Sequence, residues 1–335
     1  MRVAVVGAGN FGTVIANIVA RNGCETYLVV RNQNQLEDML RDRENKRYLP
    51  GYKLADDVRP TADLQLAAGE SELLFITVPS TSFRQAAKAL RPYVKPSAFV
   101  ISGTKGVEAT NFRLMSQIVA DEIPQGIVGV LSGPNLAEEI AAGLFAGTVI
   151  ASKDPKLVAT VQEYLQSSRF RVYGNSDVYG VELGGALKNI YAIICGMATT
   201  LQVGQNALAM VMTRSLAEMN RFAKRMDANA ITFLGLAGVG DLIATCSSEH
   251  SRNFQLGREI ARGLTLDEAQ TKLGKLAEGV NTLQVVFDKK EELGVYMPLV
   301  DGLYRVLFRN ENMLSVIGEL MTSVQQPDVE SISAV

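Results

Sequence analysis

Short apolar runs alternate with helix-spaced apolar positions along the first half of the chain. Residues 3–6 form one such run, and Phe11, Val14, Ile15, Ile18 and Val19 then recur at the spacing of a single helical face. Residues 27–30, 73–78, 99–102 and 127–131 repeat the strand pattern, the second of these halted by Pro79, and residues 148–151 are a weaker match. Runs this uniformly apolar predict strands buried on both faces, and strands separated by helical stretches predict βαβ units in a parallel sheet. From about Val178 the pattern changes, and long helical stretches at 179–201 and 207–226 replace the strand signals. The chain therefore divides into an α/β domain over 1–178 and a mainly helical domain over 179–335. Gly184, Gly185 and Gly196 lie inside the first long helix. Each costs about 1 kcal/mol relative to alanine, which points to close approach by another backbone or a ligand. The polar stretch 325–335 reads as a frayed tail.

The residues that follow the strands are small and polar. Gly7-Ala8-Gly9-Asn10-Phe11-Gly12 comes after the first strand, Arg31-Asn32 after the second and Pro79-Ser80-Thr81 after the third. Gly103-Thr104-Lys105-Gly106 and Ser132-Gly133-Pro134-Asn135 follow the next two. Open α/β sheets bind ligands along this carboxyl edge. The first loop matches G-x-G-x-x-G between a strand and a helix, the context that gives the motif its value. Gly7 permits the tight turn, Gly9 lets backbone approach a pyrophosphate, and Gly12 lets helix and strand pack closely. The helix N-terminus offers its N–H groups to the anion. The expected architecture is a Rossmann-like, doubly wound sheet followed by a mainly α-helical domain. NAD-preferring sites put Asp or Glu after the second strand, whereas this chain has Arg31-Asn32. A cation suits a 2′-phosphate, so NADP(H) is favoured and NAD(H) tolerated. A solvated surface arginine is the plain alternative.

Composition narrows the chemistry. The 335 residues fit two domains, and 33 Lys+Arg against 35 Asp+Glu leave a net charge of −2, with no broad basic surface for nucleic acid. Hydrophobic residues at 47% and charged residues at 20% are the profile of a folded chain. There is one histidine, His250, in the polar stretch 247–253, where it reads as a solvated loop residue. Most metal-ligand sets and Ser/His or Cys/His arrangements need more. No metal site is expected, and a general base has to be Lys, Tyr or a carboxylate. Cys24, Cys195 and Cys246 are far apart and form no C-x-x-C, the pattern of reduced thiols in a cytoplasmic protein. The N-terminus lacks the pattern of a signal peptide, and no apolar run approaches the roughly 20 residues that span a bilayer.

Lys188 stands in Glu182-Leu-Gly-Gly-Ala-Leu-Lys188-Asn189, on a glycine-rich, otherwise apolar helix. Further on come Leu236-Ala-Gly-Val-Gly-Asp241-Leu, Ser251-Arg252-Asn253 and Ala277-Glu278-Gly279. With the glycine loop, Tyr48-Leu-Pro-Gly51, Lys105-Gly106 and Ser132-Gly-Pro-Asn-Leu-Ala137, this ordered set closely resembles the bacterial NAD(P)-dependent glycerol-3-phosphate dehydrogenases. The resemblance runs from residue 1 to about 320. Two places depart from it. Asn10-Phe11 stand where the family commonly has Ser-Trp, and Asn135 stands where a hydroxyl residue is common.

The resemblance implies reversible hydride transfer between NAD(P)H and dihydroxyacetone phosphate, giving sn-glycerol 3-phosphate for phospholipid synthesis. It implies Lys188 as proton acceptor. The chemistry agrees: oxidising a secondary alcohol needs a base for the hydroxyl proton, and burial lowers the pKa of an amine towards the working range. Leu187, Ile190 and Tyr191 are apolar or aromatic neighbours. Ser251, Arg252 and Asn253 precede a helix pattern through Leu256, Ile260 and Ala261, where an anion is favoured. By resemblance these three bind the substrate phosphate, and simple helix capping is the alternative. Asp241 is a turn residue or, by resemblance, a contact to the substrate, to which Lys105, Gly133 and Asn135 are added. The implied cofactor contacts are Gly7, Gly9, Asn10, Phe11, Gly12, Arg31, Tyr48, Lys105, Ala137, Arg252, Leu276 and Glu278. Apolar helices in the second domain fit a homodimer. Two other readings are a related dehydrogenase of another phosphorylated or carboxylated hydroxy-substrate, and a nucleotide-binding regulator without catalysis. The Ser-Arg-Asn segment and Lys105 favour phosphate, and Lys188 with Asp241 favours catalysis.

Overall fold

The apolar runs of the first half become strands of one sheet in the computed structural model, which describes residues 1–274 and 277–323. They begin with β1 (Arg2–Val6), β2 (Glu25–Val29), β3 (Val58–Thr61), β4 (Leu73–Ile76) and β5 (Phe99–Ser102). The short β6 (Val107–Glu108) and β7 (Arg113–Leu114) pair separately as an antiparallel ribbon. β8 (Ile127–Ser132), β9 (Ala146–Ser152) and β10 (Phe170–Asn175) complete an 8-stranded sheet of order β10-β9-β8-β5-β4-β1-β2-β3. The chain runs outward from β1 to β3, returns to β4 on the other side of β1, and continues to β8. That reversal is the doubly wound topology, with its switch point between β1 and β4. The connecting helices are α1 (Asn10–Arg21), α2 (Gln33–Asp42), α3 (Leu64–Ala68), α4 (Ser80–Leu90), α5 (Met115–Glu122), α6 (Ala137–Ala141) and α7 (Pro155–Leu165).

Alternate residues of the strands face two separate cores. Val3, Val5, Leu28, Leu73, Phe75 and Ile101 meet Val14, Ile15 and Val19 of α1 and Leu157 and Val161 of α7. Ala4, Val6, Tyr27, Leu74, Ile76 and Val100 meet Phe83, Ala87 and Leu90 of α4 and Met115, Ile118 and Val119 of α5. Burying one such large side chain contributes about 1.5–3 kcal/mol, and burial on both faces explains why these strands read as unbroken apolar runs.

The sequence pattern predicts a parallel sheet, and the sheet departs from that at one pair. β9 runs antiparallel to β8, although β10 is again parallel to β9 and the remaining pairs are parallel. The 5-residue helix α6 is the only helix between β8 and β9. Both edge strands escape the pattern. β3 reads Val-Arg-Pro-Thr, with Pro60 tolerated because the strand is an edge, and β10 alternates buried and exposed positions. β4 stops at Ile76, two residues before the apolar run ends.

The chain forms two compact units, Met1–Gly185 and Ala186–Val335, and passes from one to the other within α8 (Val178–Thr200). The second unit holds no strand among its described residues. It contains the rest of α8, α9 (Gln205–Arg225), a 3-10 turn at Ala230–Leu234, a π-helical turn at Leu236–Gly240 and α10 (Asp241–Ser247). α11 (Arg252–Ala261), α12 (Leu266–Leu273), α13 (Glu278–Leu293), α14 (Pro298–Phe308) and α15 (Met313–Thr322) follow. α8 has the length and apolar character of a membrane span, but 94% of its apolar window is buried inside the protein, the environment of a core helix. The predicted frayed tail, 325–335, lies outside the described residues.

α8 and α11 cross at backbone distance. A Cβ on Gly196 would stand 2.0 Å from the carbonyl oxygen of Phe254, and one on Gly257 would stand 1.9 Å from that of Ile193. Each helix therefore presents a glycine to the other's backbone, which is the close approach that Gly196 implied in the sequence.

Two carboxyls are buried against helix N-termini. Glu182 of α8 accepts from the Ser116 backbone N–H at 2.9 Å, in the first turn of α5. Glu218 of α9 accepts from Leu299 N at 2.6 Å and Val300 N at 3.3 Å at the start of α14, and from the Tyr191 hydroxyl at 3.2 Å. These bonds favour the charged form, but burial outweighs them and pushes Glu182 up to about 7 and Glu218 up to about 8. An unfolded glutamate, near 4.5, has already lost its proton at those values. The stability that these acids contribute is thus fully present below pH 4.5 and is lost as pH rises through 7 and 8. Thermal melts from pH 5.5 to 8.5 are expected to show falling stability, and Glu218→Gln is expected to remove a part on the order of a few kcal/mol. Superimposable pH slopes for the two proteins would contradict this account.

Candidate functional site

β2, β1, β4, β5 and β8 are consecutive and parallel, so the loops leaving their carboxyl ends emerge along one edge. This places the glycine loop, Arg31, Gly103–Gly106 segment residues such as Lys105, and Gly133 with Asn135 on the same side of the first unit. Gly7 adopts φ +113°, in the left-handed region that a side chain disfavours. A Cβ on Gly12 would meet the Gly7 carbonyl oxygen at 2.0 Å, whereas a Cβ on Gly9 would meet nothing within 4 Å. The loop is thus packed tightly behind and open in front. Gly9 caps α1 without any side-chain bond, and Asn10 uses its side-chain oxygen on the Phe11 N–H at 2.8 Å. Open space before a helix N-terminus fits the pyrophosphate of a dinucleotide.

A buried amide network absent from the sequence reading sets this loop. Gln35 and Asn45 both donate to the Ala8 carbonyl oxygen, at 2.8 and 3.0 Å. Gln35 also donates to Asn45 Oδ1 at 3.1 Å, and Asn45 to Thr13 Oγ1 at 2.8 Å. Holding that carbonyl inward turns the Gly9 N–H, in the same planar peptide, the opposite way. Tyr48 follows in the same segment, its N–H bonded to the Asn45 carbonyl at 3.2 Å and its ring beneath the Arg47 guanidinium. Arg31 is exposed and makes no ion pair or side-chain hydrogen bond among the described residues, while Asn32 caps α2 by accepting from Gln35 N at 2.9 Å. After β5 and β8, Lys105 Nζ donates to the Gly133 carbonyl oxygen at 2.7 Å, and Asn135 Nδ2 donates to Thr148 Oγ1 at 3.0 Å. Ala137 opens α6.

In the second unit Lys188 is 6% exposed and Asp241 1% exposed, and Lys188 Nζ donates to Asp241 Oδ1 and to Thr245 Oγ1. Asp241 opens α10 directly after the π-helical turn, a distortion frequent at functional sites. Thr245 lies one helical turn further, with its hydroxyl 3.4 Å from Asp241 Oδ1. That spacing of four was the signal in the sequence that could have found it. Cys195 and Cys246 are buried and free, and hydrogen bonding between them, with burial, holds the Cys246 thiol well above its usual range. The Cys246 thiol is therefore not poised as a nucleophile.

Arg252 begins α11, half-buried and without a protein partner among the described residues. Ser251 caps that helix by accepting from Phe254 N at 3.3 Å. Asn253 is committed elsewhere: its Nδ2 donates to Asn189 Oδ1 at 3.0 Å, and its Oδ1 accepts from Gly279 N at 2.9 Å. This bridge joins α8, α11 and α13, so that the residue after Lys188, the residue after Arg252 and the residue after Glu278 are bonded to one another. Asn189 had no role in the sequence reading. His250 is exposed, and Leu276 lies outside the described residues.

Two family models match the chain. The N-terminus model of NAD-dependent glycerol-3-phosphate dehydrogenase covers residues 2–158, and the C-terminus model covers residues 177–318. A glycerol-3-phosphate dehydrogenase [NAD(P)+] of Teredinibacter turnerae is 50% identical over 330 residues, covering 98% of this chain and 97% of its own. One from Pseudomonas syringae pv. syringae is 51% identical over 333 residues, covering 99% and 97%. Among solved structures, the glycerol-3-phosphate dehydrogenase of Coxiella burnetii superimposes with a TM-score of 0.92 at 34% identity, covering 96% of this chain and 99% of that one.

The glycine loop gives a contrast that can be measured. Gly12→Ala forces a Cβ against backbone and is expected to lower the Tm by several degrees. Gly9→Ala meets open space, so the Tm is expected to hold, while cofactor Kd rises about tenfold or more. Calorimetric titration of Gly9→Ala with unchanged Kd would show that no ligand passes that close to Gly9.

Proposed function

The chain belongs to the NAD-dependent glycerol-3-phosphate dehydrogenase family, and on that premise we propose that Lys188 is the proton donor and acceptor of its reaction. The protein is an NAD(P)-dependent oxidoreductase that interconverts dihydroxyacetone phosphate and glycerol 3-phosphate. The observation that carries the assignment of Lys188 is its burial with an ionic and a hydroxyl partner. Asp241 and Thr245 engage two of the three N–H bonds of the ammonium, leaving the third for a substrate oxygen. The nicotinamide cofactor, when bound, supplies or accepts the hydride. In reduction Lys188 gives its proton to the carbonyl oxygen. In oxidation the same nitrogen takes the hydroxyl proton. Asp241 fixes the amine in place, in keeping with its position at the start of α10, directly after a glycine-rich turn.

Arg252 is the phosphate anchor in this reading. Its unpartnered guanidinium and the first N–H groups of α11 form a cationic, donor-rich group suited to a phosphate dianion, with Ser251 shaping the turn. Asn253 contributes through its bridge to Asn189 and Gly279, with its side-chain amide already bonded. Lys105, Gly133 and Asn135 are further substrate contacts. Gly7, Gly9, Asn10, Phe11, Gly12, Arg31, Tyr48, Lys105, Ala137, Arg252 and Glu278 are assigned to the cofactor. NADP(H) is the favoured form, supported by an exposed, unpartnered Arg31 where an acidic residue would serve NAD. The product is assigned as sn-glycerol 3-phosphate, used for phospholipid synthesis. Three reduced, buried cysteines support a cytoplasmic setting. The reading includes a homodimer, for which the exposed stripe Leu314, Ile317 and Met321 along α15 is a candidate surface.

The test is NADPH oxidation with dihydroxyacetone phosphate. Lys188→Ala is expected to lower kcat by about 10²–10⁴-fold, and Arg252→Ala to raise substrate KM about 10- to 100-fold with little change in kcat. Absence of turnover by the natural protein would refute the function, and full turnover by Lys188→Ala would refute the proton role alone. Arg31→Ala is expected to lower kcat/KM for NADPH at least about tenfold more than for NADH. An unchanged ratio between the cofactors would remove Arg31 from 2′-phosphate recognition.

A further inference from the structure

Two buried oxygen atoms, one at the end of β8 and one on the loop after it, have no hydrogen-bond partner among the described residues: Ser132 Oγ and Asn135 Oδ1. Ser132 is 1% exposed, and Gly185 packs against it so closely that a Cβ there would stand 2.4 Å from the hydroxyl. Native chains leave few buried polar atoms unsatisfied, because each costs about 1–3 kcal/mol. The two lie within four residues, on either side of the Gly133 carbonyl that Lys105 holds, and the orientation of Asn135 is the one that its neighbours fix.

The polarity of the Asn135 amide is fixed by Thr148. The Thr148 hydroxyl, 0% exposed, has a single proton and donates it to the Ser132 carbonyl oxygen at 2.8 Å. Towards Asn135 it can therefore only accept, which requires the NH2 end of the amide to face it, at 3.0 Å. Asn135 Oδ1 is consequently left as an acceptor in need of a donor. A phosphate or carbonyl oxygen brings no proton and would be repelled. A hydroxyl would satisfy it.

We propose that Thr148 is a positioning residue that sets the Asn135 amide to accept a hydrogen bond from the hydroxymethyl group of the substrate. This rests on the assignment of Asn135 to the substrate above. Of the three oxygen-bearing groups of dihydroxyacetone phosphate, the carbonyl takes part in the reaction and the phosphate is anionic, so the free hydroxyl is the donor that Oδ1 lacks. Thr148, through Asn135, makes the enzyme select ketone phosphates that carry that hydroxyl.

The experiment compares kcat/KM for dihydroxyacetone phosphate with that for hydroxyacetone phosphate, which lacks only the hydroxyl. The natural protein is expected to favour the former by about 10- to 100-fold. Asn135→Ala and Thr148→Val should bring the ratio within about threefold of unity, and Thr148→Ser, which keeps the hydroxyl, should restore it. A merely structural role for Thr148 would lower both rates together and leave the ratio intact. Should Thr148→Val fail to fold, Asn135→Ala and Thr148→Ser decide the matter by the same ratio. A ratio near unity in the natural protein, or one that survives Asn135→Ala, overturns the proposal. No turnover of dihydroxyacetone phosphate at all would instead overturn the function on which it rests.

Discussion

An ammonium group taken out of water must recover its charge partner and its hydrogen bonds inside the protein, or the fold pays several kcal/mol. Lys188 meets that condition through Asp241 and Thr245, and much of the second unit can be understood as the scaffold that keeps those atoms in place. Asp241 is delivered by a π-helical turn whose glycines let the chain double back: a Cβ on Gly238 would stand 2.1 Å from the Phe233 carbonyl oxygen. Thr245 follows one turn along α10. On the other side of Lys188, Asn189 is bonded to Asn253, and Asn253 to Gly279. Lys188, Arg252 and Glu278 are thus each followed in sequence by a member of one hydrogen-bonded bridge.

The first unit answers to a different constraint, a glycine loop packed tightly behind and open in front of a helix N-terminus. Parallel strands deliver their loops to one edge, and the reversal of winding beside β1 leaves the glycine loop at the switch point. What the winding does not decide is which way each peptide faces. That is decided by Gln35 and Asn45, whose paired donation to the Ala8 carbonyl turns it towards the interior. The same economy recurs at the loop after β8, where Lys105 holds the Gly133 carbonyl.

The central strands were legible because burial on both faces writes them as plain apolar runs, and the glycine loop because each of its glycines answers a distinct steric demand. The edge strands were hidden for the complementary reason: β3 and β10 face solvent, so their composition carries little apolar signal. The reversal of β9 was hidden because a buried strand reads as the same apolar run in either direction. In the candidate site, charged and glycine-rich positions such as Lys188, Asp241 and Arg252 stood out against their surroundings. Asn189, Gln35, Asn45 and Thr148 did not. Each is an ordinary polar residue whose importance arises from a partner far away in the chain, and nothing in local spacing announces such a pairing.

The crossing of α8 and α11 has a consequence for how this sequence can change. At most packed contacts, a larger side chain on one helix can be accommodated by a smaller one opposite, so the two positions drift together. Gly196 and Gly257 have no such exchange open to them, because what each one meets is a carbonyl oxygen, which every residue carries. No substitution on the facing helix makes room. Both positions are therefore isolated from compensation: a change at either must be absorbed by moving a whole helix, and with it Arg252 relative to Lys188.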